Sequence, residues 1–247
     1  MNVWKYRLAH LVSSIQPTRH QIGRRVLMYH SVDLTNSTSH DIYSISKDKF
    51  TRHVEHLANQ HDRQISRVVS LASPEPNGVS ITFDDGYSDT LTVAAELLCS
   101  HALPFSVFVT AQNIISGESK YLSKSQLTDL CQMPNVTIGS HGYSHLHLSD
   151  LSNDDIRREL RQSKQMLEDL TGKIVDTMSY PHGSYNADVL KVAVEIGYKF
   201  AATSNWGVYK VGSDQLEIPR IDIWSHDNER VLQQKLSGKW DWMKRFY

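Results

Sequence analysis

Cysteine is scarce in this chain of 247 residues, with only Cys99 and Cys131 present. The two form no CxxC pair and no disulfide framework. Both fall in helix-like stretches, as buried thiols that fit a reducing compartment. Long apolar runs are missing too. No stretch approaches the ~18 residues of a membrane-spanning helix, and the N-terminus lacks the charged-then-apolar pattern of a secretion signal. A cytoplasmic location, with the inner membrane face as a variant of it, is the expectation. Neither sign of charge is in excess: 26 Lys and Arg stand against 27 Asp and Glu, for a formal net charge of −1. Without a basic surplus the chain has no electrostatic footprint for nucleic acid, and a neutral substrate such as a sugar fits better. Repeats, low-complexity tracts and an interdomain linker are absent. What remains is a chain long enough for one large α/β domain with a real core.

The first residues form a segment of their own, about 1–20. Met1 to Ile15 is mildly amphipathic, with Val3, Trp4, Leu8, Leu11 and Val12 among Lys5, Arg7 and His10. Two readings stand: a helix packed on the body of the domain, or a basic, Trp-bearing helix resting on a lipid surface through residues 1–15. Asp33 to His40, rich in Ser, Thr and Asn, reads as a surface loop.

From Ser46 onward, helix-like and strand-like signals alternate. Ser46 opens a helix with Phe50, Val54 and Leu57 on one face. Val79–Phe83 is a strand, Thr90–Ser100 a helix, Pro104–Thr110 a strand, Ser123–Cys131 a short helix and Asn135–Ser140 a strand. Ser152 starts a helix whose buried stripe is Ile156, Leu160, Leu167 and Leu170, with Gly172 as its stop. Ile174–Tyr180 is the next strand. Asn186 caps a helix that ends at Gly197. Lys199–Thr203 and Glu217–Trp224 are further strands, and Glu229–Leu236 is a last short helix. Such alternation with short links specifies a parallel sheet, open or closed into a barrel.

Several of these strands end in a polar cluster. Val26–Tyr29 ends at His30, Ile81–Phe83 at Asp84-Asp85-Gly86, Val136–Ser140 at His141, and Val175–Tyr180 at Pro181-His182-Gly183. In parallel α/β barrels functional residues gather at the carboxyl ends of the strands, so four such clusters would meet in one cleft. Asp-Gly and Pro-His-Gly are also ordinary turn sequences, but independent turns have little reason to carry histidines and aspartates so selectively. Successive residues of an extended chain point in opposite directions. One of the paired aspartates can therefore bind a cation while the other moves a proton. His141 and His145, at i and i+4, would share a face of a helical turn. Two imidazoles and a carboxylate suit a divalent metal with open positions. His147 extends the cluster without sharing that face.

Thr82-Phe83-Asp84-Asp85-Gly86 followed by His141-x-x-Ser144-His145 resembles the first two motifs of the polysaccharide deacetylases, the nodulation-type or family 4 carbohydrate esterases. The resemblance runs from about Val26 to Trp224. It implies an α/β fold, a distorted (β/α)7 barrel over 21–247 with its active site at the C-terminal ends of the strands. It also implies one divalent metal, commonly zinc, and removal of N-acetyl groups from an amino sugar. By the same resemblance Asp85, His141 and His145 bind the metal, and Asp84 is the general base. His182, in the third-motif-like Tyr180-Pro181-His182-Gly183, lends a backbone N–H to the oxyanion. Two departures follow. Ser179 stands where the third motif usually opens with an arginine, which leaves Arg220 to supply that charge from another strand or to serve as a structural ion-pair residue. The usual C-terminal histidine motif is indistinct, with His226 a weak candidate. Instead Leu27-Met28-Tyr29-His30-Ser31 resembles the early Tyr-His motif of the biofilm poly-N-acetylglucosamine deacetylases, which implies His30 as the acid.

Amide hydrolysis needs these parts independently of any family. They are an activated water, a base within reach of it, oxyanion stabilisation, and an acid for the leaving amine, for which histidine suits neutral pH. Tyr87, Tyr143, Tyr185, Trp206 and Trp224 serve either as sugar platforms or as core. The expected activity is N-deacetylation of an amino sugar in a surface glycan or its precursor. A metal-dependent amidase on another small molecule and a non-catalytic carbohydrate-binding descendant are the competing readings.

Overall fold

The computed structural model describes residues 3–18, 22–33, 41–59, 68–75 and 77–246. Helix α1 (Val3–Ile15) leads into β1 (Arg24–Tyr29), two short strands β2 (Ser31–Val32) and β3 (Ser44–Ile45), and α2 (Lys47–Ala58). Then follow β4 (Gly78–Phe83), α3 (Glu96–Ser100), β5 (Phe105–Val109), α4 (Ala111–Ser116), α5 (Lys124–Gln132), β6 (Val136–Ser140) and α6 (Asn153–Thr171). The chain closes with β7 (Thr177–Ser179), α7 (Ala187–Ile196), β8 (Phe200–Trp206), β9 (Ile218–Asp222) and α8 (Glu229–Leu236).

Seven parallel strands close into a barrel in the order β1-β4-β5-β6-β7-β8-β9. The seam is β9 on β1, where Leu27 pairs with Ile221 and Met28 with Asp222. Strands β1, β4 and β5 are buried at every position, as a parallel strand covered on both faces must be. The alternation of the pleat divides their side chains. Tyr29 and Phe83 turn outward and pack on Phe50 of α2. Val26, Phe108, Ala202 and Ile218 form a separate cluster with Leu71. Gly139 on β6 makes room for the large Phe108 ring, which lies 2.6 Å from where a Cβ would stand.

Capping chemistry sets the helix boundaries. The Ser123 hydroxyl accepts from the Gln126 N–H in a capping box at α5, the Ser152 hydroxyl accepts from Asp155 N–H, and the Asn186 side chain accepts from Val189 N–H. Four details differ from the sequence reading. The Ser46 side chain makes no capping bond. The Thr90–Ser100 helix opens with a π-helical turn, Thr90–Ala95. The strand expected over Ile174–Tyr180 shrinks to Thr177–Ser179, and Ile174 is solvent-exposed. Cys99 is only half-buried, whereas Cys131 is buried. Of the loop expected over Asp33 to His40, residues 34–40 lie outside the described residues.

The C-terminal elements bind α1 to the barrel. Asp227 and Lys235 are both fully buried. The ammonium donates to Asp227 Oδ2 at 2.5 Å and to the Asp222 carbonyl at 2.6 Å, and it sits 3.8 Å from the Trp224 ring centroid, with Trp206 and Trp240 beyond. The Tyr6 hydroxyl of α1 donates to the other Asp227 oxygen at 3.0 Å. Tyr6, Ala9 and Ser13 are therefore the buried face of α1, while Leu8, Leu11 and Ile15 face outward.

Candidate active site

The carboxyl ends of β1, β4, β7 and β9 and the loop after β6 enclose one cavity of about 470 Å³. Its walls carry His30, Asp84, Asp85, His141, His145 and His182. Six of the seven residues singled out in the sequence thus meet in one place, and the seventh, Arg220, lies directly beneath Asp84. Asp84 N–H donates to the Tyr29 carbonyl at 3.0 Å, which ties the end of β4 to the end of β1 and sets His30 beside the paired aspartates.

Asp84 is almost fully buried and clamped. Arg220 Nη1 donates to its Oδ1 and Nη2 to its Oδ2, both at 2.7 Å. Ser179 Oγ donates to Oδ2 at 3.2 Å and accepts from Arg220 Nη2 at 2.7 Å. The guanidinium is itself held by the Thr203 carbonyl at 2.8 Å. Burial pushes the Asp84 carboxyl up, but Arg220, then His141 and His30, outweigh it and hold it below the usual carboxylate range. The arginine absent from position 179 thus has a counterpart across the barrel, on β9, with Ser179 bridging the two.

Asp85, His141 and His145 converge, with one potential ligand atom from each within 4.8 Å of the others. Asp85 Oδ1 lies 3.3 Å from His145 Nε2 and 3.5 Å from His141 Nε2. His141 Nδ1 lies 2.9 Å from the Ser179 carbonyl. That carbonyl can only accept, so Nδ1 carries the proton and Nε2 turns a lone pair toward Asp85, as a metal-binding imidazole requires. The donor set fits a divalent metal. Burial pushes Asp85 up, but the His145 hydrogen bond and the charges of His30 and His141 hold it well below the usual range. Burial pushes His141 down, against the pull of Asp84 and Asp85. His145 is displaced upward, because its bond to Asp85 outweighs burial.

The expected helical turn at His141–His145 is not formed; the segment is an irregular loop, and His145 adopts φ 57°. Asp85 (φ 72°) and His182 (φ 58°) share this left-handed conformation, which costs an L-residue roughly 1–2 kcal/mol. Such backbone is held only where its surroundings over-determine it. In the His141–His145 loop buried Glu159 does so: Oε2 accepts from the Tyr143 and Ser144 N–H groups at 3.1 and 2.8 Å, and Oε1 from the Ser144 hydroxyl at 2.9 Å. Gly183, at φ 65°, lets the Pro181–Gly183 turn press on Ser204, 2.7 Å from where a Cβ would stand.

Other sequence candidates separate. Trp206 and Trp224 are buried core around Lys235, so neither is a sugar platform. Tyr87 stacks on Tyr121 and Tyr185 on Tyr180, and Tyr143 lines a groove outside this cavity. His226 packs against the Tyr6 ring at 5.2 Å and is not in the cavity wall. His147 stacks on His182 at 4.0 Å. Sequence reasoning missed Asp222, Tyr43 and Glu159. Asp222 obeys the same strand-end rule as Asp84, but the apolar run resumes after it in Ile223 and Trp224 and hides the strand end. Glu159 stands on the apolar stripe of α6, where a charge is out of pattern. Nothing local marks Tyr43, whose ring lies 4.5 Å from that of His30.

The family model for polysaccharide deacetylases matches residues 72–201, more than half of the chain. The chain belongs to the polysaccharide deacetylase family. Over 204 residues it is 29% identical to YxkH of Bacillus subtilis (strain 168), a candidate polysaccharide deacetylase, covering 80% of this chain and 70% of that protein. It is 29% identical over 120 residues to the peptidoglycan-N-acetylglucosamine deacetylase PgdA of Listeria monocytogenes, covering 48% of this chain but only 24% of PgdA. The deacetylase fold is shared with PplD of Streptococcus pyogenes (TM-score 0.73, 22% identity, 87% of this chain and 98% of that one) and IcaB of Ammonifex degensii (TM-score 0.70, 19% identity, 89% and 98%). Asp84, Asp85, His141, His145 and His182 fall within the matched deacetylase segment; His30 and Arg220 fall outside it.

Proposed function

We propose that this deacetylase is a metal-dependent hydrolase that removes N-acetyl groups from an amino sugar of a surface polysaccharide or its precursor. The observation that carries the reading is the clamped Asp84, ionised by Arg220 and set beside the Asp85–His141–His145 donor set in one cavity. A non-catalytic carbohydrate-binding protein accounts for a buried ion pair, but not for its place beside a metal donor set in the cavity wall.

Asp85, His141 and His145 would hold the metal, with zinc the ion suited to two imidazoles and a carboxylate. When bound, it would supply Lewis acidity at the amide carbonyl and acidify water. Asp84 takes a proton from the attacking water at a carboxylate oxygen; Arg220 and Ser179 keep that oxygen in place and charged. The backbone N–H of His182 stabilises the oxyanion. His30 gives a proton to the departing nitrogen, so that the C–N bond breaks to release the free amine and acetate. His30 stands in the cavity wall with its ring 4.5 Å from that of Tyr43, which puts the imidazole beside a bound substrate.

The test is acetate release from a panel of N-acetylated amino-sugar oligomers and non-sugar acetamides, with added Zn2+ and with a chelator. Chelator-sensitive release from at least one of the oligomers supports the reading. Release only from a non-sugar amide would move the protein to another amidase class, and no release from any substrate with metal bound would refute catalysis.

A further inference from the structure

The outer face of α1 and the C-terminal turn form one surface of mixed character. Leu8, Leu11 and Ile15 recur at i, i+3 and i+7 on a single stripe and are 49%, 63% and 79% exposed. The C-terminal turn adds a further exposed apolar side chain, Phe246, 73% exposed, whose ring packs on Trp242. The Trp242 indole in turn donates to the Ser13 hydroxyl of α1 at 2.9 Å. Beside this edge lies a cavity of about 180 Å³ whose cationic wall is Lys239, Lys244 and Arg245. Its carboxylate, Asp241, is already neutralised by Arg25, with hydrogen bonds of 2.8 and 3.0 Å. Among the described residues no carboxylate pairs with the three cations. Arg7 adds an exposed charge near the other end of α1.

We infer that this surface is an anionic-lipid docking face, with the stripe entering the boundary of the acyl chains and the cationic cavity receiving a headgroup phosphate. Charge decides the occupant. An apolar stripe alone would suit a second copy of the chain, but two such faces brought together would oppose Lys239, Lys244 and Arg245 to themselves. A phospholipid surface satisfies both halves at once, since apolar area and basic charge add in interfacial binding.

The arrangement also has a direction. Tyr6 contacts Asp227, just beyond the carboxyl end of β9, whereas Trp242 neighbours Asp241, the partner of Arg25 at the amino end of β1. Helix α1 therefore runs along the flank of the barrel from its active-site end toward the opposite end. A membrane on that flank holds the mouth of the cavity beside the lipid surface, where a lipid-linked or membrane-proximal glycan would be within reach.

The experiment is flotation of the full chain with phosphatidylcholine vesicles containing about 30% phosphatidylglycerol, with phosphatidylcholine alone as control. Binding to the anionic vesicles, weakened by raised salt, is expected. Lys244→Glu/Arg245→Glu should reduce it at least about 20-fold, since each basic residue contributes about fivefold. Leu11→Asp/Ile15→Asp should abolish it. Circular dichroism and acetate release from a soluble substrate report separately on the variants, which alter exposed side chains outside the lining of the active-site cavity. Failure of wild type to float on anionic vesicles would overturn the inference. So would unchanged flotation of the Leu11→Asp/Ile15→Asp variant, or a wild-type dimer that this variant dissolves without any vesicle binding.

Discussion

Removing the Arg220 guanidinium exposes the logic of the site. At the contact distances present, two unit charges about 4 Å apart attract by about 4 kcal/mol at an effective dielectric constant near 20. Both partners are out of water, with side-chain exposures of 0% and 3%. Arg220→Met leaves Asp84 buried without a counter-charge, and breaking a buried pair in this way costs about 3–5 kcal/mol. For a domain of this size that lowers Tm by roughly 6–20 °C. Asp84→Asn strands the guanidinium and should cost a similar amount. The double variant strands neither charge, so its loss should fall short of the sum of the two by at least about 2 kcal/mol. Denaturation should be measured with chelator present, because bound metal would stabilise the folded state by mass action. Activity supplies a second readout. Asp84→Asn should retain metal and lose about 10²–10⁴-fold in turnover, the usual contribution of a general base. Arg220→Lys should recover part of the stability of Arg220→Met but less of its turnover, since an ammonium cannot reproduce the paired geometry. Losses additive within about 0.5 kcal/mol, or wild-type turnover in metal-loaded Asp84→Asn, would refute the reasoning.

The His141→Ala/His145→Ala double variant should lose stoichiometric metal by elemental analysis; full retention would reassign the ligands. His30→Ala should lower kcat with metal content and KM little changed, because its contribution is made in the transition state. His226→Ala, against Tyr6 and away from the cavity, should leave turnover intact, and the opposite pattern would move the acid to the C-terminus. His53 offers a pH test remote from the cavity. Burial pushes its pKa down to about 4, against a smaller pull from Asp227, while its Nδ1 meets the Tyr29 hydroxyl at 3.0 Å. The native state therefore holds the ring neutral, and below its unfolded pKa of about 6.5 the unfolded chain binds more protons. Stability contributed by the neutral ring is complete above that value and is lost as pH falls toward 4, by about 3 kcal/mol across the window. Urea titrations of wild type and His53→Gln should differ in slope there; parallel curves would show that His53 does not carry the effect.

Local signals were enough for a parallel sheet and for most of the residues at its strand ends, while closure into a barrel was implied only by the family resemblance. Buried strands on both faces demand β-branched and aromatic runs such as Val26–Tyr29 and Val79–Phe83. A strand end is where such a run meets its first polar residue, so Asp84, Asp85, His141 and His182 could be read directly. Their gathering into one cavity follows from parallel topology, which brings every carboxyl end to the same side. Backbone conformation was beyond reach. The i, i+4 spacing of His141 and His145 suggested a helical turn, whereas the pair is set by a loop that Glu159 holds through three hydrogen bonds from a helix further along the chain. Arg220 was legible as a source of the missing charge or as a structural ion-pair residue, and local sequence could not choose between the two. Its pairing with Asp84 spans 136 positions and depends on barrel closure, which brings β9 round to β1 and β4. The face of α1 was decided in the same way. Its sequence is only mildly amphipathic, and the buried anchor proved to be Tyr6, because Asp227, neutralised by Lys235 among three tryptophans, offers a carboxylate oxygen there. Periodicity is a property of neighbouring residues and survives in the sequence. The partners of a buried charge are chosen by the closed barrel, and only the tertiary structure contains that choice.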